Sequence, residues 1–349
     1  MMNNNVIQED LEQIYHNDVD WKRFSGKTIL ITGANGALPA YLVEMLLYLN
    51  KYGINATIIA LVRNIDKAKK RFEDYNDYLQ LKYLQQDVSE EIVVDENIDF
   101  IIHAASQASP KYYRSDPVGT LCANLLGTIN VMKLAQKHCV ESVLYFSSGE
   151  VYGALEDKYI PTKEQYFGYL DPTDVRSCYA ESKRMGENIC VSWFQQYGIP
   201  TKIVRPFHTY GPKMQMDDGR VYADFIADIL ANRDIIIKSD GSAMRAFCYL
   251  SDATIGFFKV LLNGQNGEAY NIGNPDQEYS VLELAQILTN IYPERGLKIN
   301  MQLNSQDANY VKSPVRRSCP DINKMHKLNW YPVVTVAEGF KRVLNNYNP

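Results

Sequence analysis

The strongest constraint on this chain is a rhythm in its first half. Short apolar, β-rich runs recur at Thr28–Thr32 (TILIT), Ala56–Val62 (ATIIALV), Leu81–Leu84, Asp99–His103 (DFIIH), Ser142–Phe146 (SVLYF) and Lys202–Val204. Helical apolar spacing separates most of them, at Leu42–Leu49, Ala68–Tyr75, Asn124–His138 and Tyr179–Tyr197. Strands that are apolar throughout, alternating with helices, predict a parallel sheet covered on both faces, an α/β doubly wound fold of Rossmann type. After Arg205 the rhythm breaks into Pro, Gly and Asp punctuation. Small α+β pieces follow, with helices expected near Val221–Ala231, Asp252–Leu262 and Val281–Tyr292. The expected organisation is an arm over residues 1–24, a dinucleotide-binding domain over 25–205 and a smaller substrate lobe over 206–349, with an interleaved boundary. Within the arm, Asn5–His16 has the spacing of a short docking helix.

Composition narrows the function classes. The 349 residues carry a formal net charge of −5 and 46% hydrophobic residues. The chain is therefore globular, and the acidic balance argues against nucleic acid as a partner. None of the six cysteines stands in a C-x-x-C pair, so neither a zinc site nor a disulfide scaffold is expected, and a reducing compartment fits. No apolar run approaches the roughly 18 residues that span a bilayer. The polar start MMNNNVIQED does not read as a signal peptide. A cytoplasmic protein without membrane or metal partners is expected.

Directly after the first strand comes Gly33-Ala-Asn35-Gly36-Ala37-Leu38-Pro39. Glycines here let the backbone turn tightly and approach a pyrophosphate seated on the next helix N-terminus. The third-glycine position holds Pro39, which a first helical turn tolerates because that residue's N–H has no helical partner. At the end of the second strand, where an acid would hold the adenosine ribose, stands Arg63. It can meet a 2′-phosphate, stack on adenine, or belong with Lys67, Lys69 and Lys70 to a solvated basic face. Asp87, after the third strand, can accept from the adenine amino group.

Tyr179-Ala-Glu-Ser-Lys183 opens a helical pattern, so phenol and ammonium share one helix face. A nearby cation favours tyrosinate, which gives a base near neutral pH for removing a hydroxyl proton while hydride leaves to nicotinamide. Ser148 follows the fifth strand, at the edge where ligands of such sheets bind.

These residues resemble a known family, the extended short-chain dehydrogenase/reductases of the NAD-dependent epimerase/dehydratase type that act on nucleotide sugars. The likeness is carried by TGANGAL, HAASQAS (103–109), Asn124 in ANLLGTINVM, SSGEVYG (147–153), YAESK, RPFHTYGP (205–212), RAFCYLSD (245–252) and PDINKMHKLNWYPVVTVAEGF. It implies bound NAD or NADP, with NAD taken first, and oxidation at sugar C4. It also implies that Val88, Ala104, Ala105, Ser106, Asn124 and Pro206 join the cofactor site, and that the chain is a homodimer through helices 124–138 and 179–197.

Within that family the segments RSCYAESKR, FHTYGPKMQMDDGRV and SAMRAFCYLSD look most like UDP-glucuronate decarboxylases. That likeness implies a UDP-sugar, with Tyr179 as base, Lys183 as its tuner, Ser148 at O4 and Glu150 at the ring. Ser109, Arg220, Val221, Lys238, Arg245 and Arg317, or Arg316 beside it, would hold the nucleotide sugar. Two positions depart from the pattern. Gly149 stands where decarboxylases carry serine, and is expected to make room near the sugar. His208 stands where they carry asparagine, and can donate a proton, carry a charge, or simply bond to backbone. Three other readings remain open at this stage. They are a nucleotide-sugar 4-ketoreductase or 4-dehydrogenase, an epimerase or 4,6-dehydratase, and a non-catalytic NAD(P)-binding regulator.

Overall fold

The computed structural model describes residues 5–216, 219–302 and 315–347. The first half contains α1 (Asn5–Tyr15), β1 (Thr28–Thr32), α2 (Ala37–Asn50), β2 (Thr57–Val62), α3 (Ile65–Arg71), β3 (Leu81–Gln85) and β4 (Phe100–His103). It continues with α4 (Tyr112–Ser115), α5 (Pro117–His138), β5 (Ser142–Phe146), α6 (Cys178–Tyr197) and β6 (Thr201–Pro206). The second half runs β7 (Thr209–Tyr210), α7 (Val221–Leu230), β8 (Ile235–Ile237), β9 (Met244–Ala246), β10 (Cys248–Tyr249), α8 (Leu250–Asn263) and β11 (Glu268–Ile272). The chain then forms β12 (Glu278–Ser280), α9 (Val281–Thr289), β13 (Ile299–Met301), β14 (Arg317–Ser318), α10 (Asn323–His326) and α11 (Val336–Tyr347).

Seven parallel strands form the main sheet in the order β11-β6-β5-β4-β1-β2-β3. The strand order reverses between β1 and β4, where Thr32 lies opposite His103. Doubly wound sheets bind ligands just beyond such a reversal, at the carboxyl ends of the strands. The strands are buried on both faces, as their unbroken apolar runs require. One apolar cluster joins α1, α2 and α8 to one face of the sheet. A second cluster lies on the other face, against α5 and α6.

β11 and α8 were not foreseen as parts of this sheet. Both come from beyond residue 206 and return to its edge, with α8 packed on β5 and β6. A third apolar cluster, built from α7, α9, α11, β8 and β10, forms the core of the remaining lobe. Its strands form three small sheets, β10-β7, β12-β9-β14 and β13-β8.

Helix α5 begins seven residues before the apolar periodicity does. Asp116 accepts the Gly119 amide as its N-cap and Pro117 occupies the first helical position, so the local signal was capping rather than pattern. This 22-residue helix is also long and apolar enough to cross a membrane by those two criteria, contrary to expectation. In the fold, Thr120, Asn124, Thr128, Val131 and Ala135 face inward from it. The arm helix α1 docks through Ile7, Leu11 and Ile14. Its Asp10 is fully buried and accepts from Tyr41 of α2 (2.9 Å), Tyr249 of β10 (2.7 Å) and Arg342 of α11 (3.0 Å). One carboxylate thus ties the arm to both halves of the molecule.

Candidate active site

A cleft of about 1450 Å³ lies over the carboxyl ends of β1, β2, β4, β5 and β6, facing the second lobe. That exceeds the ~300–1,000 Å³ of an ordinary small-molecule pocket and leaves space for two ligands side by side.

The nucleotide half is made mostly of backbone. Gly33 has φ +65°, and a Cβ there would stand 2.7 Å from Ala105 Cα. Only glycine lets the ends of β1 and β4 approach this closely. Gly36 caps α2, and Pro39 sits in its first turn as expected. Thr32 Oγ1 accepts from the Ala104 and Ala105 amides and shares a hydrogen bond with His103 Nδ1 (2.8 Å), which fixes both loops. Burial, with help from the Lys183 charge, lowers the His103 pKa to about 3, so this ring is a neutral structural link.

Asn35, Ala37, Leu38, Arg63, Val88, Ser106 and Pro206 all line the cleft. Ser106 Oγ is buried there without a hydrogen-bond partner. A glycine cradle and an orphaned hydroxyl fit a dinucleotide whose pyrophosphate crosses the start of α2. Asp87 lines the same half. Burial pushes its carboxyl up, but the Ser89 amide and hydroxyl, aided by Arg63, more than offset this and hold it below the usual range.

Asn124 is a correction. It does not line the cleft; it is fully buried and donates to Ser182 Oγ (2.9 Å), which donates to the Tyr179 carbonyl. It braces the turn of α6 that carries Tyr179. The motif reading missed this because the inward face of α5 points at α6 rather than at the cofactor loop.

Tyr179 and Lys183 both enter the cleft from α6. A Cβ on Gly186 would lie 2.0 Å from Tyr145 Oη, so this glycine allows α6 to settle on β5. That approach brings Lys183 Nζ to the Phe146 carbonyl (2.7 Å) and to 5.8 Å from the centre of the Tyr179 ring. Burial lowers the Lys183 pKa to about 7, against the raising effect of Cys190 and Glu187. Tyr179 stacks on Tyr113, with ring centres 4.9 Å apart and planes 14° apart. Ser148 sits at the end of β5 and accepts the Glu150 amide. Behind it Glu187 accepts from Ser147 (2.5 Å) and twice from Arg205, locking α6 to the strand ends.

The other half of the cleft, expected to take the sugar, is made of side chains. Glu150 faces Arg176 at 4.0 Å, and Arg176 Nε is buried without a partner. Arg176 lies in the quoted RSCYAESKR motif but was not singled out, although its place three residues before Tyr179 puts it in the same site. Arg220, Val221, Lys238, Ser109 and Arg245 line the cleft as expected. Arg245 donates to the carbonyls of Met244, Val315 and Arg316, which fixes its guanidinium at the rim.

Three further expectations are corrected here. Arg317 faces away from the cleft and pairs twice with Glu278, at 2.8 Å each, while Arg316 lines the cleft. Side chains alternate along the extended backbone that enters β14, so Arg316 and Ser318 line the cleft and Arg317 between them does not. Gly149 lines the cleft, but a Cβ there would meet the Phe207 ring at 3.2 Å, so phenylalanine takes up part of the room a serine would use. His208 is not a cation. Burial drives its pKa well below the ordinary value, and the Arg245 and Arg220 charges push the same way. Among the described residues its ring makes no backbone hydrogen bond, and it lines the cleft as a neutral donor or acceptor.

A reversal-point cleft with a glycine cradle and a tyrosine–lysine pair defines a dinucleotide-dependent enzyme of the Rossmann class. Residues 29–273 match the NAD dependent epimerase/dehydratase family, and the chain belongs to it. It is 35% identical over 316 residues to UDP-glucuronic acid decarboxylase 6 of Arabidopsis thaliana, covering 90% of this chain and 87% of the plant protein. UDP-glucuronic acid decarboxylase 1 of Xenopus tropicalis is 33% identical over 323 residues, covering 92% of this chain and 72% of the frog protein. The solved UDP-glucuronic acid 4-epimerase of Bacillus cereus, in complex with UDP-glucuronic acid and NAD, shares the fold with a TM-score of 0.75 at 20% identity. That match covers 92% of this chain and 99% of the epimerase.

Proposed function

We propose that this chain oxidises C4 of a UDP-sugar with NAD and that the substrate is UDP-glucuronate, which loses its C6 carboxyl group. The observation that carries the reading is the convergence of Tyr179, Lys183 and Ser148 between a glycine cradle and three arginines (176, 220 and 245) in one cleft. Relatives that share a third of the sequence over most of its length include UDP-glucuronic acid decarboxylases.

In this reading the dinucleotide supplies the hydride acceptor and, later, the returning hydride. Tyr179 takes the proton from O4 as the C4 hydride leaves, and Ser148 holds the same oxygen. Lys183 lowers the cost of the phenolate. The product is a β-keto acid, whose C5–C6 bond breaks to release CO2 and leaves the electron pair as an enolate on C4–C5. The arginines stabilise that charge, and Glu150 is placed to handle the C5 proton. Gly149 deprives the site of one hydroxyl, which this step does not require. Arg245 and Arg316 at the rim are placed for the diphosphate.

The test is incubation of the full chain with UDP-glucuronate and NAD, followed by mass spectrometry of the nucleotide pool. A UDP-pentose, or its 4-keto form, together with CO2 is expected. Unchanged UDP-glucuronate with a folded, cofactor-bound protein overturns the assignment. Exposed Val118 and Leu126 on α5, with Met185 and Tyr197 on α6, support a homodimer across these helices. Light scattering of the purified chain would read twice the chain mass.

A further inference from the structure

We propose that Arg176 binds the C6 carboxylate of the sugar and so makes the cleft selective for nucleotide hexuronates over neutral hexoses. The inference rests on the reading of the cleft as a UDP-sugar site. It assigns to one side chain the distinction between substrates that differ only at C6.

Arg176 lies in the single turn Val175–Ser177 that leads into α6, and its amide donates to Asp174 Oδ1 (3.0 Å), which fixes its backbone. Tyr179 follows one turn later, and both residues line the cleft. Arg176 also lies within electrostatic reach of Tyr113, whose ring stacks on Tyr179. The guanidinium is therefore carried to the reacting end of the sugar, where C6 is bonded to C5, the neighbour of C4.

The other two arginines of this half are engaged elsewhere. Arg245 donates to the carbonyls of Met244, Val315 and Arg316 at the rim. Arg220 donates to Tyr222 Oη (3.2 Å) and to the Ala108 carbonyl (3.5 Å). The Arg176 guanidinium makes no hydrogen bond among the described residues. Its Nε is buried without a partner, and Glu150 stands 4.0 Å from Nη1, beyond hydrogen-bond reach. A buried donor left unmet is costly, so such a group is suited to a ligand that brings acceptors. With Nη1 turned to Glu150, the Nε–Nη2 edge presents two parallel N–H groups. That edge matches the two oxygens of a carboxylate, and a hydroxymethyl group offers only one.

Two acids face Arg176. Asp174 is exposed and already accepts the Arg176 amide. Glu150 is shared, because its charge also acts on Arg245 and, with Arg220, on the Tyr113 site. One partly exposed acid thus stands among three cations, which leaves this end of the cleft suited to a further anion. After oxidation at C4, the C5–C6 bond breaks, its electron pair passes to the C4–C5 enolate, and CO2 leaves without charge. Arg176 loses its partner at that step, so the UDP-pentose is held less tightly than the hexuronate.

The experiment is isothermal titration of the full chain carrying Tyr179→Phe, so that binding is read apart from turnover, with UDP-glucuronate, UDP-glucose and UDP-xylose. UDP-glucuronate should bind about tenfold tighter than the other two, or more. Adding Arg176→Met should weaken UDP-glucuronate by about tenfold or more and leave UDP-glucose and UDP-xylose within about threefold. Arg176→Lys keeps the charge without the paired donors and should retain only part of the preference. It decides the matter if Arg176→Met does not fold, since an undiminished preference there overturns the inference. Equal binding of UDP-glucuronate and UDP-glucose by the parent chain overturns it and leaves the UDP-sugar reading standing. Equal weakening of all three ligands by Arg176→Met also overturns it, because that marks a merely structural role. Failure of all three to bind the folded protein overturns the UDP-sugar reading and this inference together.

Discussion

The two halves of the cleft are built from different materials. The nucleotide half rests on backbone: the Gly33 turn, the start of α2 and the Ala104–Ser106 loop held by Thr32. The sugar half rests on side chains delivered by separate segments: Glu150 and Arg176 before α6, His208 after β6, Arg220 at α7 and Arg245 on β9. A backbone cradle recognises what every dinucleotide shares. A side-chain cradle can be altered one residue at a time, and the departures Gly149 and His208 both fall in it. Tyr179 and Lys183, the machinery of oxidation in the proposed reaction, sit at the seam between the halves.

The largest predicted effect is at that seam. Tyr179→Phe removes the base and should lower turnover by about 10²–10⁴-fold, with dinucleotide binding retained. Retained turnover would place the chemistry elsewhere in the sugar half.

The next concerns Asp10, which ties the halves together from outside the cleft. Burial raises its pKa from 3.8 to about 6, against the pull of Tyr249, Arg342 and Tyr41, while Glu9 adds to the rise. The folded chain therefore keeps this proton after the unfolded chain has released it. The stability that results is complete below the unfolded pKa and is lost as pH rises through about 6. Asp10→Asn has no proton to lose. Relative to the wild type, it should gain up to about 3 kcal/mol in denaturant unfolding between pH 4 and 7. A gain in the opposite direction would mean that Arg342 dominates the carboxylate.

Within the nucleotide half, Gly33→Ala should destabilise the fold by about 1–3 kcal/mol and weaken the dinucleotide, because the added methyl meets the Ala105 backbone. A loss below about 0.5 kcal/mol would deny that the cradle is rigid. Within the sugar half, Gly149→Ser restores the serine of the decarboxylase pattern. Its Cβ meets a side chain, the face of the Phe207 ring, rather than backbone, so the cost should be smaller, about 1 kcal/mol. Pairing it with Phe207→Leu should recover part of that cost. If the single substitution is free, Phe207 does not fill the space, and the two halves differ less in packing than described.

The difference between the halves also decided how much of the molecule was legible in its sequence. The strands β1 to β6, the helix after Gly36 and the Tyr179–Lys183 pair follow from local periodicity and spacing, which backbone geometry enforces. β11 was missed because EAYNI is short and half polar, and only its return to β6 makes it a strand. Asn124 and Arg317 were misplaced because a residue's place in the sequence does not fix which way its side chain faces. Arg317 needed the register of β14 on β9, and Asn124 needed the packing of α5 on α6. Arg176 stood inside a recognised motif, but only the fold showed it opposite Glu150. The filling of Gly149 by Phe207 is a contact between residues 58 positions apart, and nothing local announces it.

The most direct test of the central claim is rapid mixing of the NAD-loaded full chain with UDP-glucuronate deuterated at C4, with reduced nicotinamide followed by absorbance and the products by NMR. The account predicts nicotinamide reduction slowed by the deuterium, deuterium on the reduced cofactor, and release of CO2 after reduction. CO2 loss without transfer of that deuterium, or no reduction in a folded and loaded protein, would contradict oxidation at C4 of this substrate.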